Sequence, residues 1–365
     1  MRFGLTMLLL LVVAGAVEAR VRMTGDLPRR DGRPLEDLAG LETEYGAVRT
    51  SDGTRLRTIL TRPEGASGRL PVIFIAQWVS CGSIEFRPGR ETLPRLLAQR
   101  SGMAMIRVDR SGSGDSEGAP CSALDYDTEV RHYREALDRL ARHPWIDPDR
   151  IVIHGISLGT TTAPFIAAGR RVAGLLVQGG GAFSYLERMI NFDRLCLERS
   201  GRYPPETWQD EMIRRIAFHQ DYLIGGRTPA EIAAARPELA GVWASINGAE
   251  PDSHYGRPFA WHQQAARRNF AASWARIDAP VMVVHGGFDQ FEPRASHRLI
   301  VDIVNRAHPG SAVLHDIPQA SHDLQIFPTE AAAFAGEGGE DRPELFLDPA
   351  IAWLRRVTGL SHAAR

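Results

Sequence analysis

The chain has 365 residues, of which 44% are hydrophobic and 24% charged, a composition typical of a globular protein and not of a disordered or fibrous one. The 43 cationic residues nearly balance the 44 acidic ones, and we find no basic tract that would indicate a nucleic-acid partner. All the cations are arginine, because the sequence contains no lysine. This excludes chemistry that requires an amine, such as a Ser-Lys dyad, a Schiff base or a Walker phosphate loop.

Residues 1–19 are predicted to be a signal peptide that directs export to the periplasm or the medium. Arg2 supplies the positive start, residues 5–17 are almost wholly apolar, and Val17 and Ala19 are the small residues that a cleavage site requires. The apolar run is shorter than the roughly 20 residues that a membrane-spanning helix needs. We therefore expect no membrane span after cleavage, and a retained N-terminal anchor is the alternative.

After this segment, the chain alternates between short apolar runs and helical patterns. Residues 20–42 are polar and predict an extended N-terminal arm, and the stretches on either side of Ser51-Asp52-Gly53 predict a strand hairpin. Continuous apolar runs, as expected of strands buried on both faces, lie at 71–76, 103–108, 151–154, 172–177, 281–285 and 312–314. The alternation predicts an α/β fold with a mostly parallel sheet that is flanked by helices.

The alternation stops between residues 182 and 277, where no strand is predicted and the pattern is helical. Four of the seven tryptophans lie here, and Thr228-Pro-Ala-Glu231 is a candidate capping box at the start of a helix. The other predicted helices of this stretch span 205–223 and 259–276. We interpret residues 182–277 as a helical cap inserted into a core made of 43–181 and 278–360.

Gly155-Ile-Ser157-Leu-Gly159 follows the strand at 151–154 and precedes residues 160–168, which can begin a helix. This is the nucleophile-elbow pattern G-x-S-x-G in the strand-turn-helix context that it requires. The turn is so tight that larger side chains would collide on both sides of the serine, which explains the glycines. The hydroxyl then projects above the sheet, beside a helix N-terminus that favours developing negative charge. Ser157 is therefore the predicted nucleophile.

A second copy of the pattern, Gly114-Asp-Ser116-Glu-Gly118, shows that the pentapeptide alone does not identify the nucleophile. This copy lies in a polar loop well past the end of the nearest strand and runs into Ala119-Pro120, which does not begin an elbow helix. Its context therefore favours Ser157 over Ser116.

A nucleophilic serine needs a base, and the base needs an orienting acid. His322 lies in a loop after the last predicted strand, and Asp289 lies in the exit loop of the preceding strand, where Gly286-Gly287 lets the chain turn. We predict His322 as the base and Asp289 as the acid. Two other carboxylates remain as alternatives for the acid: Glu292 and Asp316.

Two further motifs accompany the elbow. The loop at 109–118 reads DRSGSGDSEG, and WIDPDR at 145–150 leads into the elbow strand. With the chain order Ser157, Asp289, His322, these motifs make residues from about 43 to 357 resemble the α/β-hydrolase superfamily, and in particular its secreted esterase and prolyl-oligopeptidase-like branches. The resemblance implies an α/β-hydrolase fold with these three residues as the catalytic triad.

The chain departs from the family where His-Gly usually follows the third strand, because it has Gln77-Trp78-Val79-Ser80 there. The resemblance implies that this loop donates one backbone N–H to the oxyanion and that Leu158 donates the other. Trp78 in place of the glycine leaves open whether Trp78 or Val79 is the donor. Trp78 is also a candidate wall of the acyl pocket, with a purely structural core role as the alternative.

The resemblance also implies a pairing for two of the three cysteines. Cys81 follows the oxyanion loop and Cys121 follows the loop at 109–118, and in the family's strand order these loops leave neighbouring strands. A Cys81–Cys121 disulfide is therefore predicted, with two free buried thiols as the alternative. Cys196, in the cap, is expected to be unpaired.

The cap contains a stretch dense in aromatic and hydrogen-bonding side chains, from which we predict that Tyr255, Arg257 and His262 line the substrate pocket. Packing of the cap onto the sheet is the alternative. No cofactor and no metal are predicted, because the sequence shows neither a metal-ligand spacing nor a dinucleotide fingerprint.

These patterns predict a serine hydrolase that cleaves a small-molecule carboxylic ester. Three alternatives remain: a prolyl-oligopeptidase-like peptidase or amidase acting on short peptides, an acyltransferase on the same scaffold, and a binding protein without catalysis. The complete Ser, His and Asp set argues against the last.

Overall fold

A computed structural model describes residues 20–87 and 89–361. The predicted signal peptide lies outside the described residues. In the part that is described, no helix is both long and apolar enough to cross a membrane.

The strands are β1 (Val21–Met23), β2 (Leu41–Arg49), β3 (Arg55–Pro63), β4 (Leu70–Ala76), β5 (Ala104–Val108), β6 (Ile146–Ile156), β7 (Gly174–Gln178), β8 (Ser253–His254), β9 (Arg257–Pro258), β10 (Val281–Gly286) and β11 (Ala312–Ile317). The α-helices are α1 (Leu93–Arg100), α2 (Tyr126–Leu140), α3 (Gly159–Ala167), α4 (Tyr185–Arg199), α5 (Trp208–His219), α6 (Pro229–Ala235), α7 (Phe259–Ala266), α8 (Phe270–Trp274), α9 (Arg294–Ala307), α10 (Glu330–Ala335) and α11 (Glu344–Thr358).

The described strands other than β8 and β9 form one nine-stranded sheet with the order β1-β2-β3-β5-β4-β6-β7-β10-β11. Every neighbouring pair in this sheet is parallel except β2–β3 and β3–β5, so β3 alone runs against the others. The predicted mostly parallel sheet and the hairpin at Ser51-Asp52-Gly53 are confirmed. The parallel strands end at one edge, and the loops that leave it after β4, β5, β6, β10 and β11 carry the predicted site residues.

Both faces of the sheet are covered by helices, which explains the uninterrupted apolar strands. In β4, Val72 and Phe74 belong to one core cluster and Ile73 and Ile75 belong to the other, because side chains alternate between the faces of a strand. The first cluster is closed by α2, α3 and α9, and the second by α1 and α11. This is the arrangement expected of parallel sheets.

The segment between β7 and β10 contains α4 to α8 and the short hairpin β8–β9. Thr228 and Glu231 form the expected capping box at α6. Two expectations are corrected: the segment contains strands, and residues 259–276 form two helices, since Asn269 caps a new helix through its side chain. Strands of two residues have no detectable periodicity, so the sequence did not reveal them. The boundaries proposed for arm, core and cap stay predictions.

The residues before β2 are held against the sheet by buried charge. β1 pairs in parallel with β2. Glu36 accepts hydrogen bonds from the Arg107 guanidinium, at 2.9 Å from its Nη1, and from the Phe86 backbone N–H at 2.7 Å. Both Glu36 and Arg107 are buried, so each charge needs the other.

Packing of α11 on the sheet offers a test of the fold. Leu347 is fully buried in the second core cluster, whereas Leu345 in the same helical turn is 38% exposed. Leu347→Ala should lower the free energy of unfolding by about 2–5 kcal/mol, the range for a buried leucine that leaves a cavity. Leu345→Ala should change it by no more than about 0.5 kcal/mol. Urea denaturation of both variants is the measurement, and equal effects would contradict this packing.

Candidate active site

Ser157 lies at the sharp turn between β6 and α3, with a left-handed backbone φ of 52°. The flanking glycines are required by close approach of the backbone. A Cβ on Gly159 would lie 2.0 Å from the Ala76 carbonyl oxygen, and one on Gly155 would lie 2.8 Å from the Gly159 carbonyl oxygen. The strained turn and its two glycines are the features of a nucleophile elbow.

The structure brings Ser157, His322 and Asp289 together from three loops at the same sheet edge. His322 Nε2 lies 2.9 Å from Ser157 Oγ, and His322 Nδ1 lies 2.9 Å from Asp289 Oδ2. Gly179 lies directly beneath the imidazole, since a Cβ there would be 2.8 Å from His322 Cε1. The distances are those required for a serine whose proton passes to an oriented histidine.

The Asp289 carboxylate is itself oriented by the backbone. Its Oδ1 accepts from the N–H groups of Phe291 at 2.8 Å and Glu292 at 3.0 Å. Gly286 and Gly287 have a different role from the turn that the sequence suggested: a Cβ on either residue would lie 2.4 or 2.5 Å from a carbonyl oxygen in the loop that carries His322. They permit the two loops to pack together.

The charges of the pair stabilise each other. Burial opposes ionisation of Asp289, but the neighbouring His322 outweighs it and holds the pKa of Asp289 well below its usual range. Burial also opposes protonation of His322, and the Asp289 carboxylate overcomes this and raises the pKa of His322 above its ordinary value. Such a pair stabilises an imidazolium when the serine proton is transferred.

The alternative candidates for the acid and for the nucleophile form hydrogen bonds or ion pairs with other residues. Asp316 bonds His285 Nδ1 at 3.0 Å and the Arg294 guanidinium at 2.6 Å. Glu292 pairs with Arg188, whose Nε lies 3.1 Å from its carboxylate. Ser116, in the second copy of the elbow pattern, is 1% exposed. Its hydroxyl accepts from the Arg57 backbone N–H and donates to the Asp109 carbonyl, which is a structural role.

A cavity of about 1070 Å³ opens over Ser157 and His322. Four residues of α4 at helical spacing present one face to it: Tyr185, Arg188, Met189 and Phe192. Phe291 connects this face to the site, because its ring centroid lies 4.7 Å from those of both Phe192 and His322. The predicted pocket residues Trp78 and Tyr255 line the same cavity, as do Val79 and Leu158.

Arg257 and His262 do not line this cavity, which corrects their predicted role. Arg257 is 1% exposed and donates to the Glu129 carboxylate. His262 is fully buried, and burial lowers its pKa well below the usual value, so the ring is neutral. Its Nδ1 accepts from the Tyr185 hydroxyl at 2.7 Å and its Nε2 donates to the His254 carbonyl at 2.8 Å. Arg257 therefore joins the cap to α2, and His262 holds parts of the cap together.

The loop after β4 is braced by contacts that the sequence only partly revealed. Cys81 and Cys121 form a disulfide, with Cα atoms 5.5 Å apart, and Cys196 is a free thiol. Arg110 donates to several carbonyls of the loop and to Glu129. Arg110 lies inside the DRSGSGDSEG motif just after β5, but that motif specifies the loop and not the partners of its arginine.

No group of three or more His, Cys, Asp or Glu residues with a geometry suited to a metal ion occurs within residues 20–87 and 89–361.

The role of Asp289 can be tested through the pH dependence of activity. Asp289→Asn should lower kcat for a 4-nitrophenyl ester by on the order of 10⁴-fold, as expected when the orienting acid of a triad is lost. Catalysis requires neutral His322, so activity falls as the pH drops through the raised pKa of His322. Without the carboxylate this pKa falls, and the acid limb of the kcat/KM profile should move to lower pH.

Asp316→Asn is the matched control, since Asp316 also bonds a histidine but at a site away from Ser157. It should leave kcat and the acid limb close to those of the wild type. Near-full activity in Asp289→Asn together with loss of activity in Asp316→Asn would contradict the assignment.

Comparisons with known proteins agree with this architecture. The model described as "Alpha/beta hydrolase family" matches residues 77–336. Polyketide transferase af380 of Aspergillus fumigatus is 34% identical over 261 residues, which cover 71% of this chain and 81% of that protein. Polyketide transferase ATR5 of Stachybotrys chlorohalonatus is 33% identical over 134 residues, 36% of this chain and only 42% of ATR5. Esterase FrsA of Yersinia pestis is 27% identical over 169 residues, 46% of this chain and 37% of FrsA.

Solved structures show the same fold at low identity. A hypothetical protein from Pseudomonas aeruginosa superimposes with a TM-score of 0.51 and 16% identity, covering 92% of this chain and 99% of that one. An esterase from Pyrococcus furiosus gives a TM-score of 0.51 at 12% identity and covers 89% and 95% of the two chains. The family match extends over most of the described chain and includes both the elbow and the predicted acid and base. The chain belongs to the alpha/beta hydrolase family.

Proposed function

We propose that the protein is a serine hydrolase that cleaves carboxylic esters through Ser157, His322 and Asp289. The observation that carries the proposal is the unbroken hydrogen-bond chain from Ser157 Oγ through both nitrogens of His322 to Asp289, at the floor of a large cavity. Family membership supports hydrolase chemistry, and the ester specificity is our inference.

In the proposed reaction, Ser157 Oγ attacks the acyl carbonyl carbon while His322 Nε2 takes the hydroxyl proton. The tetrahedral intermediate collapses as His322 returns this proton to the leaving alcohol, which leaves the acyl group on Ser157. Water then attacks the acyl-enzyme, again with His322 as base, and the acid is released with the serine regenerated. Asp289 stays ionised throughout, consistent with its lowered pKa.

The oxyanion needs donors on the side of the cavity opposite His322. The backbone N–H groups of Leu158 and of Val79 or Trp78 are the candidates, because all three residues line the cavity that contains Ser157. Leu158 is also the N-cap of α3, so the helix dipole adds to the stabilisation of negative charge.

Export is the second part of the proposal. The predicted signal peptide precedes a chain that contains a disulfide, and disulfides persist in oxidising compartments. We propose that the mature protein acts in the periplasm or the medium on a small-molecule substrate.

A second candidate function, acyl transfer to an alcohol, is favoured by one observation. The relative with the most extensive match among those described above, af380, is named a polyketide transferase and is 34% identical over 71% of this chain. Hydrolysis and transfer share the acyl-enzyme and differ in whether water or an alcohol attacks it. The cavity of about 1070 Å³ has room for an acceptor beside a bulky acyl group.

The nucleophile assignment predicts that Ser157→Ala lowers kcat by on the order of 10³-fold or more, because the covalent route is lost. Ser116→Ala, the control from the second elbow-like pattern, should keep most of the activity. Peptide mapping after reaction with a fluorophosphonate should find the label on Ser157. A label on Ser116 would overturn the assignment.

The type of reaction is tested by a substrate panel with the purified mature protein. We expect turnover of 4-nitrophenyl esters and slower turnover of aminoacyl-4-nitroanilides. Added alcohols such as glycerol or hexanol should not divert the acyl group from water. Predominant formation of a new ester would establish the transferase instead, and faster anilide turnover would establish a peptidase. The absence of any turnover would indicate a binding protein.

A further inference from the structure

Arg110, which is not part of the proposed triad, lies behind the loop after β4. Arg110 follows β5 and is 4% exposed. Its guanidinium donates to the backbone carbonyls of Gln77 at 2.9 Å, Ser80 at 2.5 Å and Trp78. One side chain therefore fixes the direction of three peptide groups in one short loop.

The direction of these carbonyls determines where the neighbouring N–H groups point. The described residues contain no cis peptide bond, and in a trans peptide the C=O and N–H point to opposite sides. With the carbonyls of Gln77 and Trp78 directed at Arg110, the N–H groups of Trp78 and Val79 lie on the other side of the loop. Both residues line the cavity that contains Ser157.

Arg110 is itself held by a carboxylate that the cap also binds. Glu129 of α2 is 2% exposed, and its Oε1 accepts from Arg110 Nε at 2.7 Å. Its Oε2 accepts from Trp261 Nε1 at 2.8 Å and from the Arg257 guanidinium. Burial opposes ionisation of Glu129, but the two guanidiniums outweigh it and lower its pKa. The carboxylate therefore connects Arg110 behind the loop with Arg257 and Trp261 of the cap.

We propose that Arg110 is a positioning residue that directs the N–H donors of the 77–80 loop toward the oxyanion, and that Glu129 couples it to the cap through Arg257 and Trp261. The proposal rests on the proposed function, since it concerns the oxyanion of the same reaction. Arg110 thus orients the 77–80 loop, in which this chain lacks the glycine that the family usually has. The loop is held at its other end by the Cys81–Cys121 disulfide and by Ser113 Oγ, which donates to the Cys81 carbonyl at 2.8 Å.

The first test is kinetic. Arg110→Met should lower kcat for 4-nitrophenyl butanoate by about 10²–10³-fold, the effect of losing one oxyanion donor, with little change in KM. Arg110→Lys should be intermediate, because an ammonium lacks the planar fork that reaches several carbonyls. Glu129→Gln keeps the shape of the side chain and should lower kcat in the same direction by a smaller factor.

The second readout separates positioning from a general loss of structure. A trifluoromethyl alkyl ketone forms an adduct with Ser157 whose oxygen carries the negative charge. Its inhibition constant should rise in each variant by the factor by which kcat/KM falls, since both report stabilisation of the oxyanion. Arg57→Lys is the matched control: Arg57 is fully buried, pairs with Asp115 at 3.1 Å and donates to the Gly46 carbonyl at 2.9 Å, away from the cavity. It should lose stability but keep kcat and the inhibition constant.

Wild-type kcat in Arg110→Met and Arg110→Lys would overturn the proposal. A fall in kcat with an unchanged inhibition constant, or an equal fall in Arg57→Lys, would overturn it as well. If Arg110→Met does not fold, the same measurements on Arg110→Lys and Glu129→Gln test the proposal. Failure of the proposed function looks different, because the wild-type protein itself would then show no turnover that depends on Ser157.

Discussion

The strained backbone at Ser157 is the constraint on which the rest of the site depends. A non-glycine residue with positive φ costs on the order of 1–3 kcal/mol, and it persists only where its surroundings fix it. Here the helix that follows is fixed at several points. Gly159 contacts the Ala76 carbonyl of β4, and the Tyr126 hydroxyl of α2 donates to the Thr161 carbonyl at 2.9 Å. The elbow is thus held by the central strands and by α2, and the loops that carry the proposed base and acid are arranged around the Ser157 hydroxyl.

Buried arginines connect the residues before β2 to the sheet and the loop after β4 to α2. Arg57 and Arg107 attach the residues before β2 to the sheet, and Arg110 attaches the loop after β4 to α2. In each case the guanidinium pairs with one carboxylate and also donates to backbone carbonyls, which a planar fork of five donors allows and an ammonium does not. The Arg107–Glu36 pair is costly to break from one side, because the remaining charge stays buried without its counter-ion. These contacts restrain loops of which few residues belong to helices or strands.

The sequence predicted the features that are set by local patterns. Apolar runs between turns predict the strands of the sheet, and the strand-turn-helix context distinguishes Ser157 from Ser116. The place of Asp289 early in its loop favours it over Glu292 and Asp316, and its carboxylate lies 2.9 Å from His322 Nδ1. The roles of Arg257 and His262 could not be predicted in the same way. Arginine and histidine suit a pocket equally well, and only the tertiary contacts show that Arg257 joins the cap to Glu129 of α2 and that His262 bonds Tyr185 within the cap.

The electrostatics of the site extend from the triad to the cap. Asp289 and Glu292 are both buried in one loop, yet their pKa values are shifted in opposite directions: His322 lowers that of Asp289, and burial raises that of Glu292. A second ionised carboxylate beside the triad would compete with Asp289 for the positive charge of His322. Arg188 of α4, whose Nε lies 3.1 Å from the Glu292 carboxylate, opposes this rise in the pKa of Glu292. Because Arg188 belongs to the helix face that lines the cavity and also acts on the pKa of His322, the charges around the three residues extend to the wall of the cavity.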